Sequence, residues 1–489
     1  MPSAASRAAA SRDRRAKIIC TIGPASWSRE TLRALLESGM DVARFNFSHG
    51  GPEKQAAHIE QLRALSREMK MPVALLQDLQ GPKIRTGPIA GGSAQLQISQ
   101  RFILTTRDVE GSAHEVTTTY HALPNDCREG DSIMLDDGLI ALRVEEVTET
   151  DVICTVIDDG LLKPNKGINL PGVKVSSPAL TEKDRADAIW GIDNGMDFIA
   201  LSFVRQADEV RELKQMVRDR GGHSLIIAKL EKPEAIENLD AILQEADGVM
   251  VARGDLGVEM DAAKVPLLQK HIIKRANEMN KTVITATQML ESMTVTQRPT
   301  RAEASDVANA VLDGTDALML SGETASGAYP VESLQMMAHI IHEVEESTDD
   351  GWTGNRRHER REIGEFSLAI CEAAAHTAAA LGARAIACFT QGGGTARLLS
   401  KSRPPVAVIA FTPDEIVVRQ LKLAWGVRPY RVDRSESNDA MIVHADHLLL
   451  QTNEAHLGDM IVVTMGSPVS VHGSTNVMKL HRIGGADIA

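Results

Sequence analysis

In the stretch "IIAKLEKPEAI", residues 226 to 236, Lys229 and Glu231 stand two positions apart at the end of an apolar run. Side chains alternate across a strand, so both charges point to one side. Taken alone the two read either as a local ion pair or as part of a reaction centre, and the ends of the other apolar runs decide between these readings. Those runs also close in charged or hydroxyl groups. Arg44, Asn46 and Ser48 close one, Asp78 another, then Arg253 with Asp255, Thr287 with Gln288, and Ser321 with Glu323. Two carboxylates from neighbouring strands, Glu231 and Asp255, suit Mg²⁺ or Mn²⁺, hard cations that accept one or two carboxylates plus waters and substrate oxygens. Arginines and a lysine beside them suit phosphate. Cations grouped around a metal are what phosphoryl transfer needs, because its catalysis is largely positioning and neutralisation of charge. Lys229 then reads as the electrostatic clamp.

The elements that must position these groups are eight short apolar runs, nearly all followed by sequence of helical period. They are "KIICTIG" from Lys17, "DVARFNF" from Asp41, "VALLQDL" from Val73, "DFIALSF" from Asp197, "LIIAKLE" from Leu225, "GVMVARGD" from Gly248, "TVITATQ" from Thr282 and "DALMLSGE" from Asp316. Strands alternating with helices imply a parallel sheet, and eight of them a closed (β/α)₈ barrel, whose chemistry gathers at the C-terminal strand ends. Residues 17–83 and 178–345 supply the barrel, together close to the roughly 250 residues typical of the fold. Between them, residues 84–177 turn to Gly-punctuated β-like sequence such as "IMLDDGLIALRVEEV", expected to form an inserted β-barrel domain that acts as a lid. Residues 346–361 form a polar, Arg-rich linker. Residues 362–489 predict a C-terminal α/β regulatory domain, with the Gly-rich turn "FTQGGGTAR" between a strand and a helix. The Arg- and Ser-rich opening has the composition of a transit peptide, but strand sequence starts at Lys17, so residues 1–16 are expected to be a disordered tail.

Composition narrows the class. With 489 residues the chain can bury several cores, and 43% hydrophobic with 24% charged residues is ordinary for a soluble protein. The 3% aromatic content and net charge of -13 argue against nucleic acid, whose backbone would meet repulsion and whose bases would find little to stack on. No stretch reaches 18 uninterrupted apolar residues, so no membrane span is expected. Five scattered cysteines, without a CxxC pair, fit a reducing, cytoplasmic setting. The fifteen histidines show no metal spacing, and the methionines, Met289, Met293, Met336 and Met337 among them, read as core filler.

Seven stretches, "ARFNFSHG", "DLQGPKIRTG", "KGINLPG", "AKLEKPEAIENLD", "MVARGDLGVEM", "TATQMLESM" and "SGETASGAYP", occur in an order and form that resemble the pyruvate kinase family, from about Lys17 to Ile483. The resemblance implies the barrel, the inserted lid and the C-terminal regulatory domain, and transfer of a phosphoryl group from phosphoenolpyruvate to ADP, giving pyruvate and ATP. By matching motif it implies that Arg44 binds the substrate phosphoryl group, and that Arg85 and Lys166, with Asn46 and His49, face the nucleotide. Lys229 matches the transition-state stabiliser and Glu231 and Asp255 the Mg²⁺ ligands. Gly254, Asp255 and Thr287 match the phosphoenolpyruvate pocket, where Thr287 helps protonate the enolate. A homotetramer and a phosphorylated effector are implied as well. The Gly-rich turn from Thr390 through Gln391, Gly392, Gly393 and Gly394 to Thr395 is the expected effector site, with "HGSTN" from His472 closing it.

Two positions depart from the animal-type pattern. At the monovalent-cation site Asn46, Ser48 and Asp78 match, but Leu79 stands where a threonine is usual, and Lys83 replaces a glutamate in "GPKIR". A permanent ammonium at Lys83 predicts an enzyme that works without K⁺. Two other classes compete with the kinase. A different phosphoenolpyruvate or pyruvate enzyme on this barrel should lack Arg85 and Lys166, and a metabolite sensor built on a dead kinase should lose Lys229, Glu231 or Asp255; all five residues are present.

Overall fold

The computed structural model describes residues 14–347, 365–434, 437–467 and 475–485. Eight strands close a parallel barrel: β1 (Lys17–Thr21), β2 (Val42–Asn46), β3 (Ala74–Asp78), β4 (Phe198–Leu201), β5 (Leu225–Leu230), β6 (Gly248–Ala252), β7 (Thr282–Ala286) and β8 (Ala317–Leu320). Almost every strand residue is buried, because side chains alternate between two apolar cores. Ile19, Val42, Leu76, Ile227, Met250 and Ile284 fill the barrel interior. Ile18, Cys20, Ala43, Leu75, Ile226 and Val249 face the surrounding helices.

Register sets the chemistry at one rim. Thr21 pairs with Arg44, Asn46 with Asp78, Asp78 with Ala200, Lys229 with Met250, and Ala252 with Ala286, so the polar residues that close each run come level at the C-terminal ends. The opposite rim has its own device. Asp41, Asp197, Asp247 and Asp316 each precede an even-numbered strand and accept a backbone N–H from the odd strand before it, at Ile18, Leu75, Ile226 and Val283. Three of them also grip the C-terminal domain. Lys422 meets Asp41 at 3.0 Å, Arg419 meets Asp197 at 2.9 Å, and Arg403 meets Asp316 at 2.7 Å with Lys401 on the same carboxylate.

Between β3 and β4 the inserted segment forms a curled six-stranded sheet around its own core. Strands Ser132–Leu135, Ile140–Val147, Asp151–Asp158 and Arg101–Thr105 run antiparallel, with Ile168–Asn169 and Glu115–Thr117 at the edges. Ala94–Leu96 and Gly160–Leu162 add a two-stranded ribbon. The C-terminal domain is a five-stranded sheet with helices packed against it. Its Leu423 joins the cluster that fills the barrel interior.

The disordered tail expected over 1–16 is corrected at its end. Arg14 is buried against Asp41 at 2.6 Å, and the N–H groups of Arg15 and Ala16 donate to Glu345 at 2.7 and 2.8 Å. Three basic or small residues are held there because Asp41 and Glu345, both buried, need partners. Residues 1–13 and the linker from 348 on lie outside the described residues, whereas the last barrel helix, Pro330–Ser347, runs into the expected linker. Among the described residues no helix is long and apolar enough to cross a membrane. The five cysteines are all buried and unpaired.

Candidate active site

At the C-terminal rim, Asp78 ends β3 almost fully buried and holds two cations. Its Oδ2 accepts from Arg44 Nε at 2.7 Å, and its Oδ1 lies 3.3 Å from Lys229 Nζ. Lys229 Nζ also meets Glu231 Oε1 at 2.9 Å and donates to Ser202 Oγ at 2.7 Å. Glu231 Oε2 accepts the backbone N–H of Phe203 at 2.7 Å. The ion pair of Lys229 and Glu231 is therefore present, and it is one edge of a larger charged cluster at the rim.

Electrostatics favour the charged forms of Lys229 and Asp78. Burial works against the ammonium of Lys229, yet Asp78, Glu231 and Asp255 outweigh it and hold its pKa above the ordinary value. Burial likewise opposes ionisation of Asp78, but Lys229 and Arg44 pull its carboxyl below the usual range. Glu231 goes the other way: burial pushes it up, Lys229 offsets this, and the carboxylate of Asp255 adds to the push. Glu231 and Asp255 would hold a divalent cation, whose charge would relieve that repulsion. Among the described residues no group of three or more His, Cys, Asp or Glu side chains is arranged to hold a metal. Two carboxylates with substrate oxygens and water completing the shell is the donor set that Mg²⁺ accepts, so the residues fit it.

Thr287 follows β7 in the left-handed region, with φ +70, and Gln288 beside it has φ +52. A β-branched residue there costs on the order of 1–3 kcal/mol and persists only when its surroundings fix it. Arg253 does so, donating to the carbonyls of Thr287 at 2.7 Å and Ala286 at 3.2 Å while Asp306 holds its other end at 2.7 Å. The strained turn sets the Thr287 hydroxyl between two backbone groups: Oγ1 accepts the N–H of Gly254 at 2.7 Å and donates to the carbonyl of Ala286 at 2.6 Å. Thr287, Gly254 and Asp255 thus form one edge of the site.

A cleft of about 570 Å³, its open mouth included, separates this rim from the inserted domain, lined by Lys83, Ile84, Asn169, Phe203, Lys232 and Asp255. Contacts across its edges are polar. Asn169 donates to Glu259 at 2.9 Å, Lys232 pairs with the same carboxylate at 2.7 Å, and Arg205 donates to the carbonyl of Ser177 at 2.8 Å. Arg85 bridges to Gly167 across the two chains of the hinge and donates to the carbonyl of Asn165 at 2.9 Å, and Lys166 pairs with Asp136 at 2.7 Å. Lys83 lines the cavity and makes no ion pair among the described residues.

Asn46 lies level with Asp78, and its Oδ1 accepts the N–H of Ser48 at 3.0 Å. The Leu79 side chain is sunk in the core, and its carbonyl accepts from Ser202 Oγ at 2.7 Å, so the backbone is the only group Leu79 can offer a cation. The side chain of His49 lies outside the described residues. In the C-terminal domain Thr390 Oγ1 accepts the N–H of Gly393 at 3.0 Å, and Thr395 and Thr475 share a hydroxyl contact at 2.5 Å. His472, Gly473 and Ser474 are outside the described residues. Unassigned from the sequence were Ser202, Arg205 and the clamp of Arg253 on Thr287. Ser202 closes the fourth run, the same positional signal that marked the others, whereas a side chain reaching a backbone carbonyl leaves no pattern to read.

Comparison with known proteins agrees with this architecture. The family descriptions "Pyruvate kinase, barrel domain" and "Pyruvate kinase, alpha/beta domain" match residues 13–334 and 368–481. Pyruvate kinase of Staphylococcus aureus strain MRSA252 is 44% identical over 475 residues, covering 96% of this chain and 81% of that one. Pyruvate kinase of Sporosarcina psychrophila is 45% identical with the same coverage. The crystal structure of a pyruvate kinase from Cryptosporidium parvum superposes with a TM-score of 0.92 at 35% identity, covering 97% of each chain. With both domains matched and the rim geometry in place, the chain belongs to the pyruvate kinase family.

Proposed function

We propose a division of labour at this rim for the family's reaction, in which the phosphoryl group of phosphoenolpyruvate passes to ADP and leaves pyruvate and ATP in glycolysis. Arg44 and Lys229 bind the phosphoryl oxygens, and Asp78 keeps the two cations from repelling one another. As the P–O bond to the enol oxygen breaks and a new one forms to the terminal phosphate oxygen of ADP, charge spreads over the transferring group, and the fixed ammonium of Lys229 neutralises it without reorganising. Mg²⁺ or Mn²⁺, held by Glu231 and Asp255, supplies further positive charge and a template for the phosphate oxygens. The enolate that remains takes a proton on carbon, and the hydroxyl of Thr287, beside Gly254, helps deliver it. Arg85 and Lys166, with Asn46 and His49, hold the nucleotide when the inserted domain closes over the cavity.

Lys83 supplies the positive charge that a monovalent cation provides in K⁺-requiring relatives, while Asn46, Ser48, Asp78 and the carbonyl of Leu79 form the remnant of that site. A phosphorylated metabolite acting at the turn 390–395, a homotetrameric assembly and a cytoplasmic location complete the reading, supported by the family membership. The observation that carries it is the buried ammonium of Lys229 between Asp78 and Glu231. ADP-dependent pyruvate formation, coupled to oxidation of NADH by lactate dehydrogenase, tests it; absence of ADP dependence contradicts it.

A further inference from the structure

Between the floor of the barrel and the C-terminal domain lies a second cavity, about 960 Å³ including its open mouth. It sits beside the only one of the four floor aspartates, Asp247, that makes no ion pair with the C-terminal domain among the described residues. Its walls are mostly apolar, from Leu225 and Ile227 on the barrel to Leu398 and Leu423 opposite. Most of its charged groups are already matched. Asp247 pairs with Lys214 at 2.8 Å and accepts the N–H of Ile226 at 2.8 Å, and Lys281 donates to the carbonyl of Ala246 at 2.7 Å.

Two groups lining this cavity are not. Nη1 of Arg397 is closed off from water with no acceptor, and Oδ1 of Asn280 is closed off with no donor. The rest of the Arg397 guanidinium is held by one backbone carbonyl, that of Gly392 at 2.7 Å. Gly393, with φ +79, leaves the room: a Cβ there would stand 2.8 Å from Nη1. A cation taken out of water needs an anion or a full set of acceptors to offset its lost hydration, and one carbonyl is neither. Asp247 faces it but is already neutralised by Lys214.

We infer that this cavity binds a small organic anion with an apolar body, its acidic group on Arg397 and a hydrogen-bond donor on Asn280. The cavity lies on the barrel side of the effector turn proposed above, which lends it Gly394, and Arg397 touches that turn through Gly392. Occupancy therefore links the barrel floor to the turn through one guanidinium.

The probe is 8-anilinonaphthalene-1-sulfonate, which carries a sulfonate, an N–H donor and an apolar body, titrated by fluorescence against the full-length enzyme. Arg397→Gln removes the cation. Asn280→Gly keeps a residue that tolerates the φ of +57 at this position and removes the oxygen that would accept the probe's N–H. The expected result is at least ~10-fold weaker binding in each variant, with the circular dichroism of both unchanged. Weakening in Arg397→Gln alone would place the probe on the Gly-rich turn and overturn the inference, as would weakening in Asn280→Gly alone, equal binding in all three proteins, or no binding to the wild type. Should Arg397→Gln not fold, a crystal soaked with the probe decides: density between Arg397 and Asn280 supports the site, and density elsewhere or none overturns it.

Discussion

Arg44 and Asp78 face each other across the β2–β3 ladder in a two-pronged contact, Nε donating at 2.7 Å and Nη2 lying 2.6 Å from the same carboxylate oxygen. The other oxygen of Asp78 reaches Lys229, so one buried carboxylate holds in place both cations proposed to bind phosphate.

Removing that negative charge while keeping its shape leaves Arg44 and Lys229 repelling one another. Asp78→Asn is expected to lower kcat/KM for phosphoenolpyruvate by about 10- to 10²-fold, the range associated with losing a preorganised electrostatic group. Steady-state kinetics with a parallel melting curve check it. A variant that melts earlier yet turns over normally would reduce Asp78 to a structural role.

The carboxylate of Asp255 adds to the upward push on Glu231, a repulsion that a divalent cation held by the two would relieve. Glu231→Gln is therefore expected to raise the Mg²⁺ concentration for half-maximal activity by at least ~10-fold, along with a fall in turnover. A metal titration superposable on that of the wild type would remove Glu231 from the ligand set.

Lys83 carries the expectation about potassium. Activities in K⁺, Na⁺ and tetramethylammonium salts at one ionic strength should agree within about threefold, because matched screening leaves only the specific cation effect. Lys83→Glu should lose more activity without K⁺ than with it. A collapse on the order of 10²-fold in wild type without K⁺ would show that the cation charge is essential and that Lys83 does not replace it.

Lys17 gives the interface between barrel and C-terminal domain a pH dependence. Its Nζ donates to the carbonyl of Val427 at 2.8 Å, and burial depresses its pKa to about 7, more than Asp41 raises it. Unfolding restores the ordinary value near 10.5, so between these two values the unfolded chain binds the extra proton. The penalty for burying Lys17 is fully present below about pH 7 and fades as pH rises, by at most about 1.4 kcal/mol per pH unit. Urea midpoints of wild type and Lys17→Met, compared at pH 7 and pH 9, should shift in favour of the wild type at the higher pH. Midpoints that move in parallel would contradict the assignment.

Much of this architecture was legible because two periodicities coincide in it. Apolar runs such as "KIICTIG" and "TVITATQ" are buried on both faces, which makes them continuous rather than alternating, and the first polar residue after each run has nowhere to go but the rim. The aspartates that open the runs from Asp41, Asp197 and Asp316 were equally visible, but their task was not. Each caps a neighbouring strand and binds a base from a domain more than 80 residues away in sequence, as in Asp316 with Lys401. Nothing local announces such a pairing. Arg253 poses the same difficulty, since its targets are the carbonyls of Ala286 and Thr287, which every residue possesses.

The central claim is that Lys229, fixed among Asp78, Glu231 and Ser202, neutralises the transferring phosphoryl group. Its most direct test is the turnover of Lys229→Met in the coupled assay for ADP-dependent pyruvate formation, alongside Mg²⁺ binding measured on the same preparation. The account predicts a wild type that forms pyruvate only with ADP and Mg²⁺, and a folded variant that still binds Mg²⁺ but turns over at least ~10²-fold more slowly. A folded variant with near-normal turnover would contradict it.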